Sequence, residues 1–283
     1  MPHKLLSPFL FVAVSLVKQR YTLRVIMSEK KVYQCEDSLE GILTAVYEAW
    51  SSRNGHANNE IRILSGDNQG DMELFTEYIV VKNSEEKITK VIKAVYEKIS
   101  SEAYELICSA ACSCELSRGD DIYRFLIVGF SVGKGIVDQL HNKYVMRIFE
   151  LTRNVSNEAH YLKGFLRFQE IEEGILVAKL APKNDVIRIL APHFSDRLCQ
   201  ENFIIYDENR NTAIVHGENK EWFYTDGSML DVDRIKNVSE REESIDSMWK
   251  AFFRTISIKE RENKNLQRNN LPIRFRSNMT EFE

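Results

Sequence analysis

The sequence predicts an α+β protein with a mainly helical first half, a largely antiparallel sheet of about five strands in the second half, and two C-terminal helices. Three observations support this prediction. Apolar residues from Ile88 to Ile99 recur at helical spacing, within a helical region that extends over residues 84–153. From Gly164 onward the spacing changes to two, which is typical of strands. Capping-box spacings that begin at Ser239 and Ser257 then predict the starts of two helices.

The first half of the sequence combines short extended runs with long helices. Asp37 with Glu40 has capping-box spacing directly ahead of an amphipathic stretch, which predicts a helix over Leu39–Trp50. Helical spacing returns, with breaks, through residues 84–153. Three runs are predicted to be extended: Lys31–Cys35, Ile61–Leu64 and Leu74–Val81.

A glycine-rich segment inside the helical half, GFSVGKG at Gly129–Gly135, resembles a phosphate-binding loop superficially. Its glycines are one residue too close together, and Gly135 replaces the Ser or Thr that would bind magnesium. Its flanks also have helical spacing, whereas a phosphate-binding loop follows a strand. The segment therefore does not indicate an ATPase.

The second half alternates between short extended runs and turns. A helical stretch is predicted from Asp185, capped by Asn184 and interrupted or restarted at Pro192. In the first C-terminal helix, an apolar stripe that includes Trp249 and Phe252 predicts that both rings belong to the core. The predicted strands, of which the first two form a hairpin, are Phe165–Ile171, Ile175–Ala181, Phe203–Asp207, Thr212–His216 and Glu221–Thr225.

The composition is typical of a water-soluble globular protein, with 43% hydrophobic and 28% charged residues. Five cysteines in 283 residues do not indicate a disulfide framework, and no Cys or His pair completes a tetrahedral metal site. We therefore expect a protein of a reducing cytoplasm that uses no metal ion and no cofactor and does not associate with a membrane.

Residues 1–26 differ from the rest of the sequence. The apolar run Leu5–Val17 has 13 residues, fewer than the roughly 20 that span a bilayer, and no small-residue cleavage site follows it. Met27 opens a sequence typical of a protein start, so we expect residues 1–26 to be a spurious extension; a secretory signal and a membrane anchor are the alternatives. We expect a mainly helical part over 27–160 and a sheet with basic C-terminal helices over 161–283, which can form one compact unit.

The charge of the C-terminal segment contrasts with that of the remaining chain. Between Lys250 and Arg276 there are eight basic residues and two acids, a balance of +6, whereas residues 27–249 carry −12 and the whole chain −4. Cations that approach phosphates release counterions, so such a segment can bind nucleic acid, although an ordinary solvated helix face can carry the same charge. The eight basic residues are Lys250, Arg254, Lys259, Arg261, Lys264, Arg268, Arg274 and Arg276.

Two polar clusters lie ahead of this segment. One, in RNVSNEAHYLKGFLRF, consists of Arg153, Glu158, His160, Lys163 and Arg167, and the other, APHFSDR, contains His193, Asp196 and Arg197. A histidine beside a carboxylate can transfer protons, which makes the two histidines and the aspartate candidate catalytic residues. Arginine binds phosphate through two hydrogen bonds, so Arg167 and Arg197 are candidate nucleic-acid ligands. The alternative is that these charges line a domain junction and pair with one another.

Four blocks of the sequence carry a family resemblance: VYQCEDSLEGILTAVYEAW, RNVSNEAHYLKGFLRFQE, LAPKNDVIRILAPHFSDRL and WKAFFRTISIKERENKNLQRNNLPIRF. In this order they resemble a bacterial family, a domain of unknown function assigned to DNA metabolism and DNA repair. The resemblance runs from about Lys31 to Phe282. It implies a gene neighbour that encodes a radical-SAM protein of DNA modification or repair. In other bacteria a similar domain precedes a uracil-DNA-glycosylase-like domain.

The resemblance does not assign catalytic residues. The sequence has no glycosylase part, and it lacks the Cys-x-x-x-Cys-x-x-Cys signature of the radical-SAM enzyme itself. Three hypotheses follow, in order of preference. The protein is a DNA-binding accessory or processing factor that acts with a separate radical-SAM enzyme, a stand-alone nuclease or base-processing hydrolase, or a non-enzymatic protein-interaction partner. Whether it is an enzyme is left open.

Overall fold

The computed structural model describes residues 30–64, 73–171, 174–230, 240–256 and 258–279. It divides the chain into two compact units. Among the described residues, the first contains those from Lys30 to Ala111 together with Glu115–Ile148, and the second contains Cys112–Cys114 and those from Phe149 to Met279. The expectation that residues 1–26 are a spurious extension falls outside the described residues.

The first unit contains a small parallel sheet. Its strands, in the spatial order β2-β1-β3, pair in parallel so that Tyr33 lies opposite Ile61 on one side and Ile79 on the other. All three predicted extended runs are thus confirmed as strands. The strands are β1 (Lys30–Cys35), β2 (Asn59–Ile63) and β3 (Thr76–Val80).

Helices make up most of the first unit, as the sequence predicted. The buried side of the second helix is formed by the predicted apolar stripe, of which Val91, Val95 and Ile99 are buried. The last helix continues into the second unit. The helices are α1 (Leu39–Ser51), α2 (Glu85–Lys98), α3 (Ser101–Ala111), α4 (Arg118–Val132) and α5 (Lys143–Phe165).

The N-terminus of α1 is capped by Ser38, and the predicted Asp37 cap is wrong. The Ser38 hydroxyl accepts a hydrogen bond of 3.0 Å from the backbone N–H of Gly41. The Asp37 carboxylate instead accepts from Arg118, a buried residue that also donates to the carbonyl oxygens of Ala111 at 3.0 Å and Glu115 at 2.9 Å. Ser and Asp are both favourable N-cap residues. Because Asp37 is paired with Arg118, the neighbouring Ser38 caps the helix.

The glycine-rich segment is helical, as its flanks indicated. Gly129 lies within α4, which ends at Gly133 with a φ of 78°. A Cβ atom at Gly129 would lie 2.7 Å from Cδ1 of Ile99, so a larger residue would displace that side chain where α4 approaches the end of α2. No strand leads into the segment, and a phosphate-binding loop is therefore not formed.

The second unit is built on a mixed sheet of five strands in sequential order. Three of its four neighbouring pairs are antiparallel, while β5 and β6 are parallel because helix α6 (Ile187–Arg197) connects them as a crossover. This confirms the predicted α+β class. The strands are β4 (Gln169–Ile171), β5 (Ile175–Leu180), β6 (Phe203–Asp207), β7 (Thr212–His216) and β8 (Phe223–Asp226).

Helix α6 differs in detail from its prediction. It runs through Pro192 without a break, and its N-cap position is Val186, not Asn184. Its buried residues, which include Leu190 and Phe194, pack in one core with Val155 and Leu162 of α5 and with Phe203 of β6.

Two C-terminal helices, α7 (Glu240–Ile256) and α8 (Lys264–Asn270), follow the sheet as predicted. The second begins later than expected, since Asn263 caps it by accepting a 3.0 Å hydrogen bond from the N–H of Leu266. The prediction that Trp249 and Phe252 belong to the core is wrong, because α7 leaves its apolar stripe in solvent. The stripe residues, between 39% and 61% exposed, are Ile245, Met248, Trp249, Phe252 and Ile256.

None of the helices in the described part of the chain combines the length and the apolar character needed to cross a bilayer.

A glycine in the first turn of α1 gives a direct test of the packing in the first unit. An added Cβ at Gly41 would lie 2.5 Å from the backbone oxygen of Glu36, which cannot move away as a side chain can. We expect Gly41→Ala to lower the free energy of unfolding in urea by about 1–3 kcal/mol. Gly135→Ala is the matched control, because no atom lies within 4 Å of its Cβ position. A Gly41→Ala protein as stable as the control would contradict this packing.

Candidate nucleic-acid interface

The exposed part of the C-terminal cationic segment is centred on α8. Every side chain from residue 261 to residue 270 is exposed. Three of them, Arg261, Lys264 and Arg268, are cationic, and one, Glu262, is acidic. The ammonium of Lys264 lies 3.8 Å from the Glu262 carboxylate, but both side chains are so exposed that this pair contributes only about 0–1 kcal/mol. Residues 261–270, here called the α8 segment, therefore present positive charge that phosphates can reach.

The chain after α8 is anchored to the second unit by an aromatic side chain. Phe275 is 2% exposed, and its ring centroid lies 5.2 Å from that of Tyr161 and 6.1 Å from that of Phe165, both on the last turns of α5. The neighbouring Arg274 places its guanidinium 4.6 Å from the centroid of the Phe275 ring and 3.7 Å from Oε1 of Glu158. Arg274 is thus part of this anchor.

Glu158 is the buried acid at the centre of this anchor, with 1% of its surface exposed. Its Oε1 accepts from the backbone N–H of Lys183 at 3.2 Å, and its Oε2 accepts from the backbone and side-chain amides of Asn184 at 2.8 Å and 2.7 Å. The side-chain oxygen of Asn184, Oδ1, accepts in turn from the backbone N–H of Cys114 at 2.9 Å. One carboxylate therefore joins α5, the loop between β5 and α6, and the C-terminal segment.

The eight predicted C-terminal cations do not share one environment. Arg261, Lys264 and Arg268 are exposed, whereas Lys250 and Arg276 are half-buried and engaged in other contacts. The side chains of Arg254 and Lys259 lie outside the described residues. The three exposed cations of the α8 segment are therefore the best-placed ligands for a polyanion.

The second predicted cluster is brought together around His193 on α6. Burial lowers the pKa of His193 below its ordinary value of 6.5, and the positive charges of Lys163 and Arg197 lower it further, whereas Asp196 raises it. Lys163 belongs to α5, so this cluster combines two helices of the second unit. Arg197 is exposed at the end of α6.

The remaining candidates are less closely connected. Arg167 is half-buried and donates to the backbone oxygen of Gly164 at 3.1 Å. His160 is exposed on α5, and in the described structure no hydrogen bond or ion pair joins it to His193 or Asp196. The three catalytic candidates therefore stay predictions. Among the described residues there is also no group of three or more His, Cys, Asp or Glu side chains placed to hold a metal ion.

The sequence places Glu158 in the first polar cluster but does not assign it this central structural role, although a signal for the role is present. Glu158 lies three residues after Val155 and four before Leu162, and both of these are buried. It therefore occupies the apolar face of α5, where an acid is found only if it is paired. Its partners, Asn184 and Arg274, are far away in sequence, so spacing could not identify them.

Removal of the Glu158 carboxylate should destabilise the second unit. We expect Glu158→Ala to lower the free energy of unfolding by about 3 kcal/mol, because the amides of Lys183 and Asn184 lose their acceptor and Arg274 loses its partner. Urea denaturation followed by circular dichroism measures the change. The exposed Glu208 provides the control, since Glu208→Ala should change stability by no more than about 0.5 kcal/mol. Equal effects of the two substitutions would refute a structural role for the buried acid.

One family model matches residues 117–281, from the start of α4 to the C-terminal segment, and the family is described as a domain of unknown function, DUF4130. No curated protein matches the chain. The matched part includes Glu158, both of its side-chain partners and the whole α8 segment. Because the match covers more than half of the sequence, the chain belongs to the DUF4130 family.

Proposed function

We propose that the protein binds DNA as an accessory or processing factor in DNA metabolism or repair, and that it acts with a separate radical-SAM enzyme. The observation that carries this proposal is the exposed segment 261–270, in which three cations and a single acid face solvent. The acidic balance of the preceding chain makes this segment the most favourable site for a polyanion. The role in DNA metabolism and the radical-SAM partner come from the family resemblance.

The contacts in the segment favour phosphate recognition without sequence specificity. Helix α8 has seven residues and a single aliphatic side chain, Leu266, which is itself exposed. Lys and Arg on such a surface neutralise phosphates and release counterions, and the resulting affinity falls steeply as the salt concentration rises. Phosphate contacts position a protein on nucleic acid but carry no sequence information. We therefore expect similar affinity for unrelated sequences.

Charge reversal of the exposed cations tests this proposal. We expect the triple variant Arg261→Glu, Lys264→Glu, Arg268→Glu to weaken binding to a fluorescently labelled DNA duplex by at least about tenfold. It should also reduce the slope of log K against log salt by about 3, one for each lost contact. Fluorescence anisotropy at several salt concentrations measures both quantities, and two duplexes of unrelated sequence should be affected equally.

The matched control places the same charge change elsewhere. Lys82, Lys93 and Lys134 are exposed in the first unit, and their replacement by Glu gives a triple variant of identical net charge. If both triple variants lose equal affinity, only overall charge matters and the α8 segment is not the interface. A wild-type protein without affinity, or with affinity that is independent of salt, would refute DNA binding altogether. Arg274→Glu is unsuitable here, because it would place a second carboxylate beside buried Glu158.

The exposed apolar stripe of α7 favours a second candidate function, that of a non-enzymatic protein-interaction partner. Contiguous exposed apolar surface of this kind commonly marks a contact with another protein. Met248 and Phe252 lie one turn apart in the stripe and are 61% and 52% exposed. In this alternative the stripe docks on the radical-SAM protein and the cationic segment adds electrostatic attraction.

Co-purification distinguishes the second candidate from the first. We expect Met248→Glu with Phe252→Glu to abolish co-purification with the radical-SAM protein if the stripe is the contact, because two charges would be buried in an apolar interface. Ser247→Glu with Ala251→Glu is the control, since both residues are exposed on the other side of the same helix. Retention of the complex by the Met248 and Phe252 variant would exclude the stripe.

A further inference from the structure

A cleft of about 390 Å³ opens between helices α1, α2 and α4 of the first unit. Its floor is apolar and consists of Val46, Val91 and Ala94. Its volume lies within the range of about 300–1,000 Å³ that is usual for small-molecule sites. Helices α1 and α2, which supply most of its lining, precede the part of the chain that matches the family model.

Aromatic rings form one wall of the cleft. The ring centroids of Trp50 and Phe130 lie 5.1 Å apart at an angle of 71°, and the His56 ring lies 4.4 Å from that of Trp50. Nδ1 of His56 is 2.8 Å from the hydroxyl of Tyr123, a buried residue, so this ring is held in place. Trp50 is supported by these neighbours and is still 38% exposed, which leaves ring surface available to a planar ligand.

Two lysines of α2 also line the cleft. Lys90 and Lys98 are two helical turns apart, about 12 Å along the axis. Lys90 is close to Tyr47, with its ammonium 5.7 Å from the ring centroid, but it also forms a 2.6 Å ion pair with Glu86. Lys98 is exposed, and within the described residues no ion pair engages it.

The backbone of Lys98 lies close to the segment that follows Phe130. A Cβ atom built at Gly133 would lie 3.6 Å from the backbone oxygen of Lys98, and Gly133 follows Phe130 by three residues. Lys98 is therefore beside the Phe130 end of the cleft, while Lys90 is at the Tyr47 end. Because Lys90 is already paired with Glu86, Lys98 is the lining cation that remains for the anionic group of a ring stacked on Trp50.

We propose that this cleft binds a nucleotide unit, with the base stacked on the Trp50 ring, Phe130 beside it, and the phosphate paired with Lys98. Every base has a π-face, so stacking on aromatic rings does not require a particular base. The lining offers few polar groups that could read a base edge, so bases should not be distinguished strongly. The choice of a nucleotide among aromatic anions rests on the proposed function.

Each tryptophan gives one indole N–H resonance, and the chain has three tryptophans, Trp50, Trp222 and Trp249. Titration of ¹⁵N-labelled protein with deoxyadenosine monophosphate and thymidine monophosphate should shift the Trp50 resonance to saturation, with affinities that agree within about threefold. The Trp50→Phe variant assigns this resonance. Deoxyadenosine, which lacks the phosphate, should bind at least tenfold more weakly.

A pair of lysine variants tests the charge contact. Lys98→Glu should weaken binding of the monophosphates at least tenfold. Lys93→Glu is the matched control, because Lys93 is exposed on the same helix outside the cleft and its ammonium is 3.8 Å from Glu97. It should leave the affinity within twofold of wild type. Circular dichroism confirms that both variants are folded.

Three results would overturn the proposal: a Trp50 resonance that no monophosphate moves, equal binding of deoxyadenosine and its monophosphate, or equal losses in the two lysine variants. A single-stranded oligonucleotide forms the second arm of the titration. If it shifts the Trp50 resonance, the cleft accepts a nucleotide within a strand. If only the monophosphates do so, the ligand is a free nucleotide.

The same titration separates this proposal from the function proposed above. The triple variant at Arg261, Lys264 and Arg268 retains the cleft, so it should bind the monophosphates with wild-type affinity even though it binds duplex DNA more weakly. Conversely, Lys98→Glu should retain the salt-dependent binding of duplex DNA. Monophosphate binding therefore tests the cleft, and salt-dependent duplex binding separately tests the α8 segment.

Discussion

The buried carboxylate of Glu158 is the constraint on which the second unit depends. A carboxylate removed from water without partners costs several kcal/mol, so its donors must stay in place as long as the protein is folded. Two backbone amides and the Asn184 side chain provide hydrogen bonds, and Arg274 provides an opposite charge at 3.7 Å. Because Arg274 comes from the end of the chain, the carboxylate also fixes where the C-terminal segment meets α5.

The cationic residues of the C-terminal segment have two different roles, one in the fold and one at the surface. Arg274 lies between the buried acid and the ring of Phe275, and its charge therefore contributes to the fold. The residues before it, 261–270, have no apolar face to bury and stay in solvent. A helix as short as α8 is marginal without tertiary packing, so its conformation depends on the Asn263 cap and on the fixed chain that follows. A net charge alone would not have separated these roles.

The sequence predicted most elements because their signal is local. Helix α1 and the strands of both sheets follow from periodicities that extend over a few residues, and they were located within a few residues of their observed ends. The wrong predictions arose where two neighbouring residues could take the same role, or where contacts between distant parts of the chain determined the outcome. Ser38 caps α1 because Asp37 pairs with Arg118, which is 81 residues away. Trp249 and Phe252 show helical apolar spacing, but spacing does not reveal whether another surface covers that face.

The same distinction applies to the candidate sites. The cationic segment is a run in the sequence and was recognised from its composition, although the separation of Arg274 from Lys264 and Arg268 required the structure. His193 and Arg197 are four positions apart, so their association was predicted from the sequence. The effect of Lys163 on the pKa of His193 arises from the packing of α5 against α6. The aromatic cleft was not predicted at all, because its walls come from three helices whose residues are tens of positions apart.

The two proposed sites would respond differently to salt. Contacts between exposed cations and phosphates release counterions, and their contribution to affinity disappears as the salt concentration rises. Stacking of a base on Trp50 buries apolar surface and is largely insensitive to salt, with only the pairing to Lys98 screened. If both sites bind the same nucleic acid, high salt weakens the phosphate contacts of the exposed cations but largely preserves the stacking in the cleft. The residual affinity at high salt then depends on the first unit, although the charge that attracts the polyanion resides in the second.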